Sequence, residues 1–391
     1  MRRFLKALQQ RTPLGLKQLK HDPMRLLTAI AGITFADLLI FMQLGFADAL
    51  YTSNTQYPQA LQTDLVMISS DAKNFGQLST FTRRRLYQAL DVPGVESADI
   101  LYLGSAQWRN PQTNEETSML IIGQNPERPA LNLPVVNAQL DAIRLPDIVL
   151  FDQGSRGDYQ EMIAQVQAGE RVTTEIGLST VEVGGLFEVG ASFADDGALI
   201  TSDQTFLRLF GRREAGTASI GLIHLEAEAD PVPVQRLLRD RLPDDVYVFT
   251  HEEYVDFELN EIQSESPIGV VFGLGSAMGF IVGVVIVYQV LSTDVNSHLG
   301  EYATFRAMGY RNSYLLGIIF EEALILSILG FVPGLVMSIG VYQLASIATA
   351  LPMGMNVGRA VGVFVLTFVM CGGSGAIATR RLQAADPADI F

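Results

Sequence analysis

Four apolar runs stand out along the chain: Leu26–Phe46, Ile268–Leu291, Ala323–Tyr342 and Ala360–Ile377. A helix needs about 20 apolar residues to cross the hydrocarbon core of a bilayer, and all four qualify, the last being the shortest. The second and third runs carry no charge, and the first carries only Asp37. The first is long for the apolar part of a cleaved signal, and Gly45-Phe46-Ala47-Asp48 is a poor cleavage site, so it reads as an uncleaved anchor.

Between the first two runs the periodicity changes. Asp64–Ser69, Ile100–Trp108, Ser118–Gly123 and Asp147–Phe151 are short, rich in Val, Ile, Leu and Tyr, and bounded by turn formers, which predicts strands. Thr80–Leu90 predicts a helix stopped by Pro93-Gly94. Thr173–Glu175, Ser179–Val189, Gly197–Ser202, Ile220–Glu226 and Val246–Thr250 predict further strands, with helices over Ser202–Phe210 and Val232–Arg241. The turn-rich Asp152–Gly157 is the expected boundary between two successive lobes. Glu252–Glu265, with Tyr254, Phe257, Leu259 and Ile262 among its acids, predicts an amphipathic helix running on into the second span. The fold class expected is therefore a membrane α-helical protein with four transmembrane helices and a large α+β extracytoplasmic domain of two lobes inserted between helices 1 and 2.

Charge sets the orientation. Arg2, Arg3, Lys6, Arg11, Lys17, Lys20 and Arg25 precede the first span with one acid, Asp22, among them. Basic residues of this kind stay on the cytoplasmic side. The expected layout is a cytoplasmic segment 1–25, helix 1 at 26–46, a periplasmic domain 47–267 and helix 2 at 268–291. A cytoplasmic segment 292–322 follows, then helix 3 at 323–342, a periplasmic loop 343–359, helix 4 at 360–377 and a cytoplasmic tail 378–391. Arg306, Arg311, Arg380 and Arg381 agree with it. Residues 47–267 hold 15 Lys and Arg against 34 Asp and Glu, a net charge of −19. Acidity on that scale opposes binding to nucleic acid or anionic headgroups and favours solubility. Cys371 is the only cysteine, so no disulfide forms within the chain.

The chain lacks the G-x-x-x-x-G-K-[ST] phosphate loop. His21, His224, His251 and His298 are too scattered for a metal site; His224 reads as a strand residue and His251 as a solvated one. Gly273-Leu274-Gly275 begins a dinucleotide fingerprint only on paper, since it lies inside a span. No catalytic residue, metal or cofactor is expected. What remains is mechanical. Gly269 and Gly273, and Gly275, Gly279 and Gly283, form four-residue ladders that let another helix approach closely, whether inside one bundle or across a dimer. Gly330 and Gly334 flank Pro333 in the third span, where a kink is expected. Asp37, costly at mid-membrane, is either a polar contact at a helix interface or substrate path, or a buried carboxyl bonded to a neighbour. Glu321 and Glu322 are expected at the inner membrane surface. In the segment 294–322, Leu299, Tyr302, Phe305 and Met308–Gly309 recur at helical spacing among Asp294, Ser297, His298, Glu301 and Arg306. Such a helix docks in a groove of a soluble partner or lies on lipid.

Three segments carry a family resemblance. GITFADLLIFMQLGFADALYTS over Gly32–Ser53 includes an FxQLGF signature. Within Ser266–Gly334 stand FGLGSAMGFIVGVVIVYQ, HLGEYATFRAMGY and EEALILSILGFVPG, and the tail reads RLQAADPADIF. The chain resembles the DevC family of ABC exporter permeases, within the MacB/FtsX-type superfamily. Arg306 and Phe305 stand where that family carries Lys and Leu, and Asp37 is more polar than its usual residue there. The resemblance implies a homodimer working with a cytoplasmic ABC ATPase that binds ATP and Mg. It also implies a periplasmic membrane-fusion (adaptor) protein, a TolC-like outer-membrane channel, and an amphipathic, glycolipid-like substrate. Ser297, His298, Glu301, Tyr302, Phe305, Arg306, Met308 and Gly309 would couple to the ATPase by transmitting motion. The alternative is an FtsX-like signalling subunit that activates a periplasmic cell-wall hydrolase without transport.

Overall fold

The computed structural model describes residues 23–211, 213, 216–265, 267–297, 300, 304, 308 and 312–384. It divides into two compact units, one of Met1–Ala47, Val270–Leu344 and Met353–Phe391, the other of Asp48–Gly269 with Ala345–Pro352. Helix α1, Pro23–Ala60, contributes to both. At about 1.5 Å per residue it is about 57 Å long, roughly twice what the hydrocarbon core requires.

In the inserted domain α1 is followed by β1 (Leu65–Ser69), β2 (Phe81–Thr82), α2 (Arg84–Leu90), β3 (Val95–Arg109) and β4 (Glu116–Gln124). Then come α3 (Pro134–Asn137), β5 (Ile148–Asp152), α4 (Gln160–Gln167), β6 (Val172–Ile176), β7 (Ser179–Phe187), β8 (Ala198–Ser202) and α5 (Asp203–Leu209). The domain ends with β9 (Thr217–Ala218), β10 (Ile220–Leu225), α6 (Pro231–Arg241), β11 (Val246–Thr250) and α7 (His251–Asn260). Among the described residues nine strands form one mixed sheet in the order β11-β1-β10-β3-β4-β8-β5-β7-β6.

The central strands read as unbroken apolar runs because both faces of the sheet are covered. In β1, Leu65 and Met67 enter one core with Phe81, Leu86 and Val248, while Val66 and Ile68 enter another with Tyr57, Leu61 and Tyr254. In β5, Ile148 and Leu150 join that second core, and Val149 and Phe151 join a third around Trp108, Tyr102 and Phe206. A residue-by-residue alternation of this kind is the pleat expressed as packing.

The two lobes are not successive. β3 is 15 residues long. Its first half, up to Leu101, pairs with β10, and its second half, from Tyr102, pairs with β4. One lobe is therefore built from both ends of the insert, β1, β10 and β11, and the other from its middle. Asp152–Gly157 is no lobe boundary; it is the turn after β5, inside the second lobe. The predicted amphipathic helix before the second span is present as α7. Thr250 caps α7, accepting from Glu253 N at 3.2 Å, while the Glu253 carboxylate accepts from Thr250 N at 3.2 Å, a capping box. After Asn260 the chain adopts a π-helical turn, Glu261–Glu265, so the α-helix does not run on unbroken.

The second unit contains α8 (Pro267–Ser297), α9 (Asn312–Thr349) and α10 (Val357–Ala384) beside the first part of α1. With α1, these are four helices long and apolar enough to cross a membrane. Ala29, Ile33, Val287, Leu291, Leu326 and Met370 form the bundle core. Val271, Leu274 and Ile281 of α8, with Val336 of α9, stay exposed, as lipid-facing positions do.

Candidate functional site

The glycines of the spans converge on α1. On α8, Gly275 lies against Gln43, Gly279 against Ile40, and Gly283 against Ala36 and Met370; a methyl group on Gly279 would sit 3.1 Å from Ile40. On α9, a methyl group on Gly330 would sit 2.5 Å from Ile33, and one on Gly334 3.0 Å from Asp37 Cβ. Ala36, Ile40 and Gln43 share one face of α1, and Ile33 and Asp37 another, by the three- and four-residue helical repeat. Two glycine-bearing helices thus pack on α1 from two sides. The ladder from Gly275 to Gly283 is occupied within one chain. Gly273 has nothing within 4 Å, and Gly269 lies against the backbone of Gln263. Pro333 lies inside α9.

Asp37 sits where α1, α9 and α10 meet. It is fully buried, and its Oδ1 accepts from Thr367 Oγ1 at 2.7 Å. Its Oδ2 has no hydrogen-bond partner among the described residues. Thr34, one turn earlier, donates to Gly330 O at 3.1 Å, and Tyr342 donates to Phe41 O. These bonds tie α9 and α10 to α1 by polar contacts inside the apolar bundle. Glu322 is fully buried in α9.

Of the coupling residues, Ser297 is at the end of α8, where its Oγ accepts from Arg25 Nη2 at 3.1 Å, and Met308 is exposed. His298, Glu301, Tyr302, Phe305, Arg306 and Gly309 lie outside the described residues. Among the described residues no group of three or more His, Cys, Asp or Glu is placed to hold a metal.

The inserted domain holds polar groups that sequence reasoning passed over. Arg156 donates to Asp196 Oδ1 at 2.7 Å, to Ser192 O at 3.2 Å and to Thr349 O at 2.7 Å. It thereby joins the β7–β8 loop to the end of α9, all within one compact unit. The same loop is held from the sheet side, where Ser105 and Ser118 donate to Asp195 at 3.1 and 2.8 Å. Asp152 is fully buried and accepts from the amides of Gly154, Val189 and Gly190 at 2.9–3.0 Å. Burial still pushes its carboxyl above the usual range, outweighing those three bonds. His251, expected in solvent, contacts Pro58 O through Nε2 at 2.9 Å.

Glu258 on α7 is fully buried. Its Oε2 accepts from Phe75 N at 2.8 Å, while Oε1 and the nearby Tyr57 and Tyr254 hydroxyls lack a hydrogen bond of good geometry. Burial raises its carboxyl from the ordinary 4.5 to about 7, against the lowering effect of the Phe75 amide and Tyr254. The four-residue spacing of Tyr254 and Glu258, on the inward stripe of the helix, was the one signal that marked this acid among its neighbours.

Residues 273–387 match the family model described as FtsX-like permease C-terminal. Among solved structures the chain is similar to the periplasmic region of MacB from Actinobacillus actinomycetemcomitans, at 11% identity over 52% of this chain and 94% of that one, with a TM-score of 0.33. It is also similar to the extracellular domain of the noncanonic ABC-type transporter YknZ from Gram-positive bacteria, at 17% identity over 48% and 100%, with a TM-score of 0.30. No curated protein matches it. The family match thus lies on the C-terminal spans of a chain that has, among the described residues, four helices long and apolar enough to cross a membrane.

Proposed function

We propose that this chain is the permease subunit of a DevC-type tripartite export system that moves an amphipathic substrate. On this reading the chain works with a separate ABC ATPase. The observation that carries the reading is the joint placement of the FtsX-like match at residues 273–387 and a large α/β domain between the first and second spans. The FxQLGF segment, outside the matched region, and the tail, which runs past its end, add the DevC character. On this reading the basic N-terminus and the tail are cytoplasmic and the inserted domain is periplasmic, facing a membrane-fusion adaptor and a TolC-like channel. ATP and Mg bind to the ATPase, not to this chain.

The segment from Ser297 to Gly309 is the contact with the ATPase. The working unit is a homodimer, and the open surface at Gly273, with exposed Val270 and Leu274 beside it, is available to a second copy because Gly275, Gly279 and Gly283 are taken up by α1. The test is purification of the tagged chain from its native membrane in mild detergent, with the co-purifying proteins identified by mass spectrometry. An ATPase with a membrane-fusion protein is the expected result. A cell-wall hydrolase in place of the adaptor would overturn export and leave FtsX-like signalling.

A further inference from the structure

The inserted domain encloses a cavity of about 210 Å³ between the end of α1, the turn after β1, the β7–β8 loop and the end of α7. Its chemistry is one-sided. Tyr57, Phe75 and Phe193 bring three aromatic rings to it, Glu258 and Asp195 bring two acids, and none of the described residues lining it is basic. Tyr57 and Phe75 stack with centroids 6.1 Å apart and planes 5° apart, and Phe193 stands 57% exposed at the mouth.

The two acids differ in their commitments. Asp195 is held by the hydroxyls of Ser105 and Ser118. Glu258 is 0% exposed; its Oε2 accepts from Phe75 N, its Oε1 has the Tyr254 hydroxyl near the carboxyl but no hydrogen bond of good geometry, and the hydroxyl of Tyr57, itself 5% exposed and lining the same cavity, is also unmatched. A buried acceptor without a donor is costly, and such a group in a native fold calls for a missing partner. The partner that fits must donate hydrogen bonds, tolerate acids and favour ring faces. An anion would meet two carboxyls with no counter-charge, and a cation over an aromatic face is attracted by the ring quadrupole.

We propose that this cavity binds a small organic ammonium ion with an apolar body, its N–H donating to Glu258 Oε1 and its body packed on Tyr57 and Phe75. The volume suits a single-ring amine rather than a long acyl chain. The site belongs to the inserted domain and stands whether or not the chain exports anything. Binding also moves a proton. Tyr254 and Glu261 from its own segment act on the Glu258 carboxyl, and Tyr57 from α1 and Asp195 from the loop line the same cavity. All are acids or phenols, so the incoming ammonium is the only cation there and favours the ionised carboxyl.

The full-length protein in zwitterionic-lipid nanodiscs tests this by calorimetry at neutral pH, in two buffers of different ionisation enthalpy. The probes are benzylamine, benzyl alcohol and benzoate. Benzylamine should bind saturably and release a fraction of a proton, benzyl alcohol should bind at least about tenfold more weakly, and benzoate should not bind. Glu258→Gln keeps an acceptor for Phe75 N; it should weaken benzylamine by about tenfold or more and abolish proton release. Phe193→Ala, at an exposed position that folding does not need, should weaken benzylamine several-fold. Absence of saturable benzylamine binding to the wild type, affinity unchanged in both variants, or benzoate binding as tightly as benzylamine would each overturn the proposal.

Discussion

Raising the pH should weaken the inserted domain, and Glu258→Gln should remove most of that weakening. The Glu258 carboxyl is held at about 7 in the folded chain against an ordinary 4.5. A folded-state value above the unfolded one means that protonation favours the fold. The stabilisation is fully present below about pH 4.5 and is lost as pH rises through about 7. At about 1.4 kcal/mol per pKa unit the whole effect is roughly 3 kcal/mol, of which about 2.5 kcal/mol falls between about pH 5 and about pH 8. Trp108, the only tryptophan, is fully buried in the second lobe, so its fluorescence reports unfolding of this domain and of nothing else in the chain. With a urea slope of about 2–3 kcal/mol per M for a domain this size, the wild-type midpoint should fall by about 1 M over that pH range. The domain's net charge of −19 adds a background pH slope of its own, but that slope is common to both proteins. The difference between wild type and variant therefore isolates one side chain. Midpoints that move in parallel from about pH 5 to about pH 8 would refute the reasoning.

Three further outcomes follow from named contacts. Gly283→Leu, whose side chain would run into Met370 and Ala36, should cost at least about 1–3 kcal/mol of bundle packing and lower the unfolding temperature in detergent, while Gly273→Leu, with open space within the chain, should leave the unfolding temperature of the single chain unchanged. Arg156→Ala removes three hydrogen bonds on a half-buried side chain; it should cost about 1–2 kcal/mol and speed hydrogen exchange in residues 190–196 and 345–352 above all. Glu301→Lys, in the segment proposed to meet the ATPase, should uncouple ATP hydrolysis from export in vesicles, and normal export by that variant would count against docking there.

Much of the architecture was readable because burial on two faces leaves a plain mark. β1, β5, β8 and β10 are continuous apolar runs, and the capping box at Thr250 and Glu253 marks the start of α7. α4 went unseen because its inward residues, Met162 with the partly buried Ile163 and Val166, are diluted by Gln and Ala. The interleaving of the lobes was hidden for a different reason. β3 changes partner between Leu101 and Tyr102 with no break in its own sequence, so nothing local records that its two halves belong to different lobes. Glu258 shows the same limit in electrostatics. Glu252–Glu265 contains six acids, and composition cannot say which one the fold turns inward.

The glycine ladder shows how a correct pattern can leave its meaning open. A repeat of four places residues on one helix face but does not identify what lies opposite. Here the answer is α1, which meets Gly275, Gly279 and Gly283 on one side and Gly330 and Gly334 on the other. Between those close approaches Ile33 shares a core with Leu326, and the Phe41 and Phe331 rings lie 6.1 Å apart, while Thr34, Asp37 and Tyr342 add directional bonds at a few points. Small residues set how near the helices come, and the polar contacts set their register. Sliding α9 along α1 by one helical turn, about 5.4 Å, would therefore break the bonds at Thr34 and Tyr342 together and move Phe331 off Phe41. The register of this bundle rests on those few bonds together with its apolar packing.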